Sequence, residues 1–186
     1  MGPNKKYLLP SNSKLLVTSP RNYEMDAASE IWHALRATGY EPDAEVHIIR
    51  HKIKELAGLV ILCFKKNSRD AVRVIKQYFL KKPWIMKFAQ KVVPLEFISQ
   101  KIEEIEAFLE KNRNRIGKND TWKINVNKHL ALDNRKYLID KLAKKIWWGK
   151  VNLSNPIWIV NLEIITNNYA ISIIKKDEIL KRADII

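Results

Sequence analysis

Apolar residues along this chain recur at two spacings, every second position in short runs and every third or fourth in longer ones. The first run is "KLLVTS", predicted as a short strand from Lys14 to Ser19 and closed by Pro20. In "NYEMDAASEIWHALRATG" the positions Ala27, Ile31 and Leu35 share one face with Ala28 and Trp32 beside them, which predicts an amphipathic helix stopping at Gly39. "AEVHIIR" alternates, and "GLVILCF" reads as a continuous buried strand. "SRDAVRVIKQYFLKK" then sets Ala71, Val72, Ile75 and Phe79 at helical spacing, with Ser68 placed to cap the helix. A last strand is predicted in "WIMKFAQKVVPLEF", interrupted near Ala89 and ending at Pro94. The order strand, helix, strand, strand, helix, strand predicts a ferredoxin-like domain over residues 14–94, with both helices on one sheet face. Residues 1–13, with Gly2, Pro3 and Pro10, read as a flexible N-terminal tail.

The pattern restarts after Pro94 as a second domain predicted over residues 95–186. "FISQKIEEIEAFLEKNRNRIGKND" places Ile98, Ile102, Ile105 and Leu109 on a core stripe, opposite a solvated face of Glu103, Glu106 and Glu110, with Gly117 as terminator. "TWKINVN" alternates, with Trp122, Ile124 and Val126 on one side and Lys123, Asn125 and Asn127 on the other. From Asn134 to Trp148 the spacing is helical again, with Leu138, Ile139, Leu142 and Ile146 inward and Gly149 as the stop. Asn155-Pro156 launches a strand with Trp158, Val160, Leu162 and Ile164 on its core face, and "YAISIIKK" is its partner across the turn "TNN". The overall class is α+β.

Charge changes the picture. Against 20 Asp plus Glu stand 34 Lys plus Arg, a net charge of +14, far beyond what solubility needs and suited to a polyanion. No apolar run approaches a membrane span, and no basic amphipathic helix shows an aromatic face, so a membrane surface is disfavoured as the partner. The lone Cys63 lies in an apolar run and reads as a small core residue. The N-terminus lacks the apolar segment of a secretion signal, which points to the cytoplasm. Five glycines form no phosphate-binding loop, and no Cys-x-x-Cys or His-x-Glu pattern marks a zinc deaminase. The histidines His33, His47, His51 and His129 do not pair at metal-binding spacing, so no cofactor or metal is expected.

Basic residues gather in three places. Lys65, Lys66, Arg69 and Arg73 span a strand end and the first turns of a helix, where backbone N–H groups can help hold phosphate. Lys81, Lys82, Lys87 and Lys91 surround "KKPW". On the helix from Asn134, Lys141, Lys144 and Lys145 fall on one face with Tyr137, accompanied by Lys136 and flanked by Lys128, Arg135 and Lys150. Such a row can track a phosphate backbone, and tryptophans can stack on bases. Trp122 and Trp158 sit on apolar strand faces, whereas Trp147 and Trp148 cannot both face inward.

"KVVPLEFISQKIEEIEAFLEK", "TWKINVNKHLALDNRKYLIDKLAKKI" and "KVNLSNPIWIVNLEIITNNYAISII" together resemble the THUMP domain, an RNA-binding module of tRNA-modification proteins, preceded by its ferredoxin-like companion. The resemblance extends from about Lys14 to Lys181. It implies that the two units bind the tRNA acceptor end and its single-stranded 3′ terminus. Relatives in that family are usually fused to a thiouridine synthetase, methyltransferase or deaminase; a chain ending at Ile186 resembles the stand-alone branch, whose eukaryotic members present tRNA to a separate cytidine acetyltransferase. The family often has Lys-Arg after the first THUMP strand, where this chain has Lys128-His129. The expected function is therefore a non-enzymatic tRNA-binding adaptor for acetylcytidine formation, with Lys128, His129, Lys150 and Asn152 near the RNA. Two other readings stand beside it: a metal-independent endoribonuclease with a His base, and an RNA-binding fragment serving another modifying enzyme.

Overall fold

The computed structural model describes residues 7–40 and 43–186, which form two compact units. The first unit comprises residues 10–96 together with 177–186. Its strands are β1 (Ser13–Thr18), β2 (Glu45–Ile48), β3 (Leu59–Cys63) and β4 (Lys91–Pro94), with helix α1 (Glu24–Ala37) after β1 and α2 (Ser68–Lys81) after β3. All pairings are antiparallel and the order is β4-β1-β3-β2, the ferredoxin-like arrangement expected from the pattern. Alternate residues Leu15, Val17, Val60, Leu62 and Val92 meet Ala27, Ile31, Leu35, Val72, Ile75 and Phe79 from the helices in one core. Cys63 is buried as a small side chain, and burial pushes its thiol above the ordinary range.

Three local expectations change here. The cap of α2 is Asn67, whose side chain accepts from the N–H groups of Arg69 and Asp70, while Ser68 is already inside the helix. The predicted long last strand shrinks to four residues because the amides of Lys87, Phe88 and Ala89 donate to the Glu30 carboxylate at 2.8–3.1 Å and not to a ladder. Residues 177–186 belong to this unit: a two-residue strand, Leu180–Lys181, pairs with Val92 and Lys91 at the edge of β4. The second domain thus does not run unbroken to residue 186.

The other unit comprises residues 97–176 and the described residues 7–9. Leu9 is buried and its N–H donates to Asn168, so this end of the predicted tail is part of the fold; residues 1–6 lie outside the described residues. Its elements are β5 (Phe97–Ser99), α3 (Ile102–Asn112), β6 (Thr121–His129), α4 (Arg135–Ala143), β7 (Lys150–Val151), β8 (Trp158–Ile165) and β9 (Asn168–Lys175), followed in chain order by β10, the Leu180–Lys181 strand of the first unit. The sheet order is β5-β9-β8-β6-β7, with β6 parallel to both β7 and β8. Ile98 therefore sits in a strand opposite Ala170 and not on the stripe of α3. Both helices pack on the face carrying Trp122, Ile124, Val126, Val160, Leu162 and Ile164.

The helix predicted to run to Trp148 ends at Ala143, and Gly149 stops no helix. The chain tightens into i→i+3 bonds at Lys145 and Ile146, because the following residues are claimed elsewhere. The Trp148 indole donates to Ile116 O at 2.6 Å, and the Trp122 indole donates to Trp148 O at 3.0 Å. Asp120 closes the joint: its Oδ2 accepts from the Trp158 indole at 2.8 Å and from Gly117 N at 2.9 Å, while its carbonyl accepts from Lys150 N at 3.0 Å. Gly149 holds φ +75°, and a Cβ there would stand 2.7 Å from Asp120 O, so only glycine lets β7 approach β6.

Removing the Asp120 carboxylate leaves the N–H of the buried Trp158 without this acceptor, and Asp120→Ala is expected to cost about 2 kcal/mol in urea unfolding. A second expectation concerns acid. Glu24 is fully buried, accepts from Gly58 N at 2.7 Å and lies 3.2 Å from Arg50 Nε. Burial raises its pKa, but backbone N–H groups and Arg50 outweigh this and hold the carboxyl below its usual value. A lowered folded-state pKa means stability that is present above the carboxylate range and is lost as pH falls through it. Glu24→Gln should thus flatten the acid limb of stability, measured as urea midpoints from about pH 3 to pH 6.

Candidate nucleic-acid interface

The candidate cations of the second unit divide between the two ends of β6. At its C-terminal end, Lys128 donates to Asp133 O at 2.9 Å across a loop whose turn includes Leu130 at φ +53°. Tyr169 fixes the same loop by donating to Asp133 at 2.5 Å; burial and this bond both raise the phenol's pKa. Asn134 caps α4 by accepting from Tyr137 N, which sets Arg135 and Lys136 on the first turn, exposed and without an ion pair among the described residues. Leu132 beside them is 98% exposed. Cations and orphan N–H groups at a helix start form an arrangement that accepts phosphate.

Lys150 and Asn152 lie at the opposite end, where β7 pairs with Thr121 and Trp122. The nine residues of β6 separate the two groups by about 26 Å. Lys150 is exposed, whereas the Asn152 side-chain oxygen accepts from Ser154 N and Asn155 N and shapes the loop to β8. Trp147 is the exposed ring of the pair, 71% accessible, with Arg113 lying 5.3 Å from its centroid.

The lysine row of α4 is not uniform. Lys141 pairs with Glu106 at 3.1 Å and Glu103 at 3.6 Å, and Lys145 lies 3.8 Å from both Glu106 and Glu110. Glu106, expected on a solvated face, is only 13% exposed and stitches α3 to α4. Its hydrogen bond raises the Lys141 pKa, holding the ammonium charged but already matched. Lys144 alone of the three is exposed without such a pair among the described residues.

In the first unit, Arg69 donates twice to Glu178, at 2.7 and 3.0 Å, and Arg73 also bonds Glu178 and Asp70. Glu178 is buried, so these guanidiniums neutralise an internal carboxylate. Lys66 bonds the Tyr40 carbonyl and lies over the Tyr40 ring, while Lys65 is exposed without an ion pair among the described residues.

The sequence reading missed a polar group on the sheet face away from α3 and α4. Glu163 and Asn161 are both 1% exposed; Glu163 accepts from Asn127 at 2.9 Å and from Asn161 at 3.0 Å. The His129 Nε2 stands 2.8 Å from the other Glu163 oxygen, an arrangement in which the imidazole N–H donates. His129 is thereby turned toward the sheet, not outward with Lys128. The signal was legible as "NLE", two polar residues at alternate positions of an otherwise apolar strand.

Comparison with known proteins came from structure alone, since no family model and no curated protein matches the chain. The chain is similar to PH1313 from Pyrococcus horikoshii Ot3, with a TM-score of 0.62 and 16% identity over 88% of this chain and 55% of that one. A 4-thiouridine synthetase solved as an RNA complex with bound ATP gives 0.54 and 12% identity, covering 91% of this chain and 42% of that one. TrmN from Thermus thermophilus gives 0.52 and 13%, covering 87% and 45%. The chain spans about half the length of these structures. The likeness shows the fold: a ferredoxin-like unit and a mixed α/β unit joined in one chain. No helix among the described residues is long and apolar enough to cross a membrane.

Glu163→Ala leaves the Asn127 and Asn161 amides facing each other without their shared acceptor, and is expected to cost about 3 kcal/mol. Glu163→Gln, which retains one acceptor oxygen, should cost less than half as much in the same urea titration.

Proposed function

We propose that this chain is a THUMP-type tRNA-binding module that grips the acceptor end of tRNA and presents it, in the cytoplasm, to a separate modification enzyme, a cytidine acetyltransferase. The observation that carries the reading is the start of α4. There Arg135 and Lys136 stand exposed and unmatched by carboxylates among the described residues, next to Lys128 on a rigid, capped turn. Phosphate binding needs cations whose charge is not already matched, and the ion pairs of Lys141 and Lys145 mark these two as scaffold and not grip. The fold likeness to a synthetase solved with RNA supports the same partner class. The mechanism is geometric: a rigid contact fixes the tRNA, and the reacting base falls at a set distance in the enzyme. The chain itself performs no chemistry in this reading.

RNA cleavage is the second reading, and its observation is the pairing of His129 with the buried Glu163, an oriented imidazole. Loss of labelled-tRNA cleavage on changing His129 to Ala would establish it; intact tRNA after prolonged incubation with the wild type removes it.

For the preferred reading, Arg135→Ala with Lys136→Ala should weaken tRNA binding about tenfold or more and lower the slope of log affinity against log salt by about 1.8. Lys141→Ala should change the slope little while lowering thermal stability. Binding that is unchanged in the first variant would move the grip elsewhere. Removing the 3′ CCA from the probe should weaken binding of the wild type.

A further inference from the structure

We propose that the first unit carries a separate binding site for single-stranded RNA, centred on Trp84 and the C-terminal end of α2. This deepens the RNA-binding reading but stands on residues of the other unit. Trp84 is 67% exposed at the centre of a one-turn 3-10 helix, Pro83–Ile85. Its base is rigid: Met86 is fully buried, Ile85 packs against the core, and the next three amides are fixed by Glu30. A large ring is therefore held out in water by a structured turn, not left there by a loose loop.

The residues next to Trp84 in the chain select the ligand. Lys81, Lys82 and Lys87 are exposed and enter no ion pair among the described residues, and Glu30 is already occupied by backbone donors. Lys82 Nζ lies 5.3 Å from the Tyr78 ring, and His33 meets that ring edge-on at 6.2 Å. One turn further along α1, Arg36 covers Trp32 at 5.0 Å. Tyr78 and Trp32, partly buried against the core, thus each carry a cation near the ring, Lys82 and Arg36. A protein partner would have to desolvate three lysines, which protein interfaces deplete, whereas a polynucleotide supplies phosphates for the lysines and bases for the ring. A duplex keeps its bases stacked and offers no free face to Trp84, so the ligand is a single strand.

The test is fluorescence anisotropy of a ten-nucleotide, unstructured, 3′-labelled RNA with the full-length protein. Wild type should bind with strong salt dependence. Trp84→Ala should weaken binding about tenfold with an unchanged salt slope, and Trp84→Phe should recover part of the loss. Lys81→Ala with Lys82→Ala should lower the slope by about 1.4, two contacts at about 0.7 each. The exposure of all three residues keeps the fold out of the result, and equal thermal midpoints check this. The Arg135→Ala, Lys136→Ala variant should leave oligonucleotide binding intact while losing tRNA. Equal affinity of wild type and Trp84→Ala, or no binding of the oligonucleotide by wild type, overturns this site without touching the α4 grip. Loss of tRNA binding in the α4 variant alone supports the grip without rescuing this site. Trp84→Ala weakening capture of a protein while RNA binding stays constant assigns the surface to a protein and overturns the proposal.

Discussion

The second unit depends on satisfying three indole N–H groups within one joint. Trp122, Trp148 and Trp158 each bring a large apolar surface to the place where β6, β7 and β8 begin, and each brings a donor that burial would otherwise leave unpaired. Asp120, Trp148 O and Ile116 O receive them. Because the acceptors lie before β6 and after α4, the bonds fix where the helix must stop and where the next strand must start. The same joint opens the parallel pairing of β6 with β8, whose far end leads into the turn before Arg135 and Lys136 on α4.

A second constraint sorts the abundant positive charge. Where a carboxylate is itself largely withdrawn from water, as Glu106 and Glu178 are, the nearby lysines or arginines are needed to balance it. Where the neighbouring carboxylate is absent or bonded to backbone, the cations remain available. Net charge alone cannot make this distinction, since it counts Lys141 and Lys144 alike.

The ferredoxin-like unit was legible because its elements obey local rules: alternation in β1, an unbroken apolar β3, and 3.6-residue spacing in α1 and α2. The departures arise where a distant group outcompetes a local one. Glu30 takes the amides of Lys87 to Ala89, the Trp148 ring overrides the helical spacing after Ala143, and Ile98 joins a strand although its spacing suits α3. For the candidate site, residue types and the helix start at Asn134 were readable, and so was the polar alternation of Asn161 and Glu163. Which cations are matched was not, because the matching carboxylates come from another helix or from the far end of the chain.

The pairing of Leu180–Lys181 with β4 makes residues 97–176 an insertion within the first unit. During synthesis, residues 97–176 emerge while one edge of the first sheet still lacks its closing strand. The inserted segment and residues 7–9, which complete its unit, are all synthesised before the closing strand, but the enclosing unit must wait for residues 177–186 with β4 exposed. Complete assembly of the first unit is thereby coupled to translation past Leu180–Lys181, so a nascent chain halted before residue 177 would present an open β-edge for strand addition by another polypeptide.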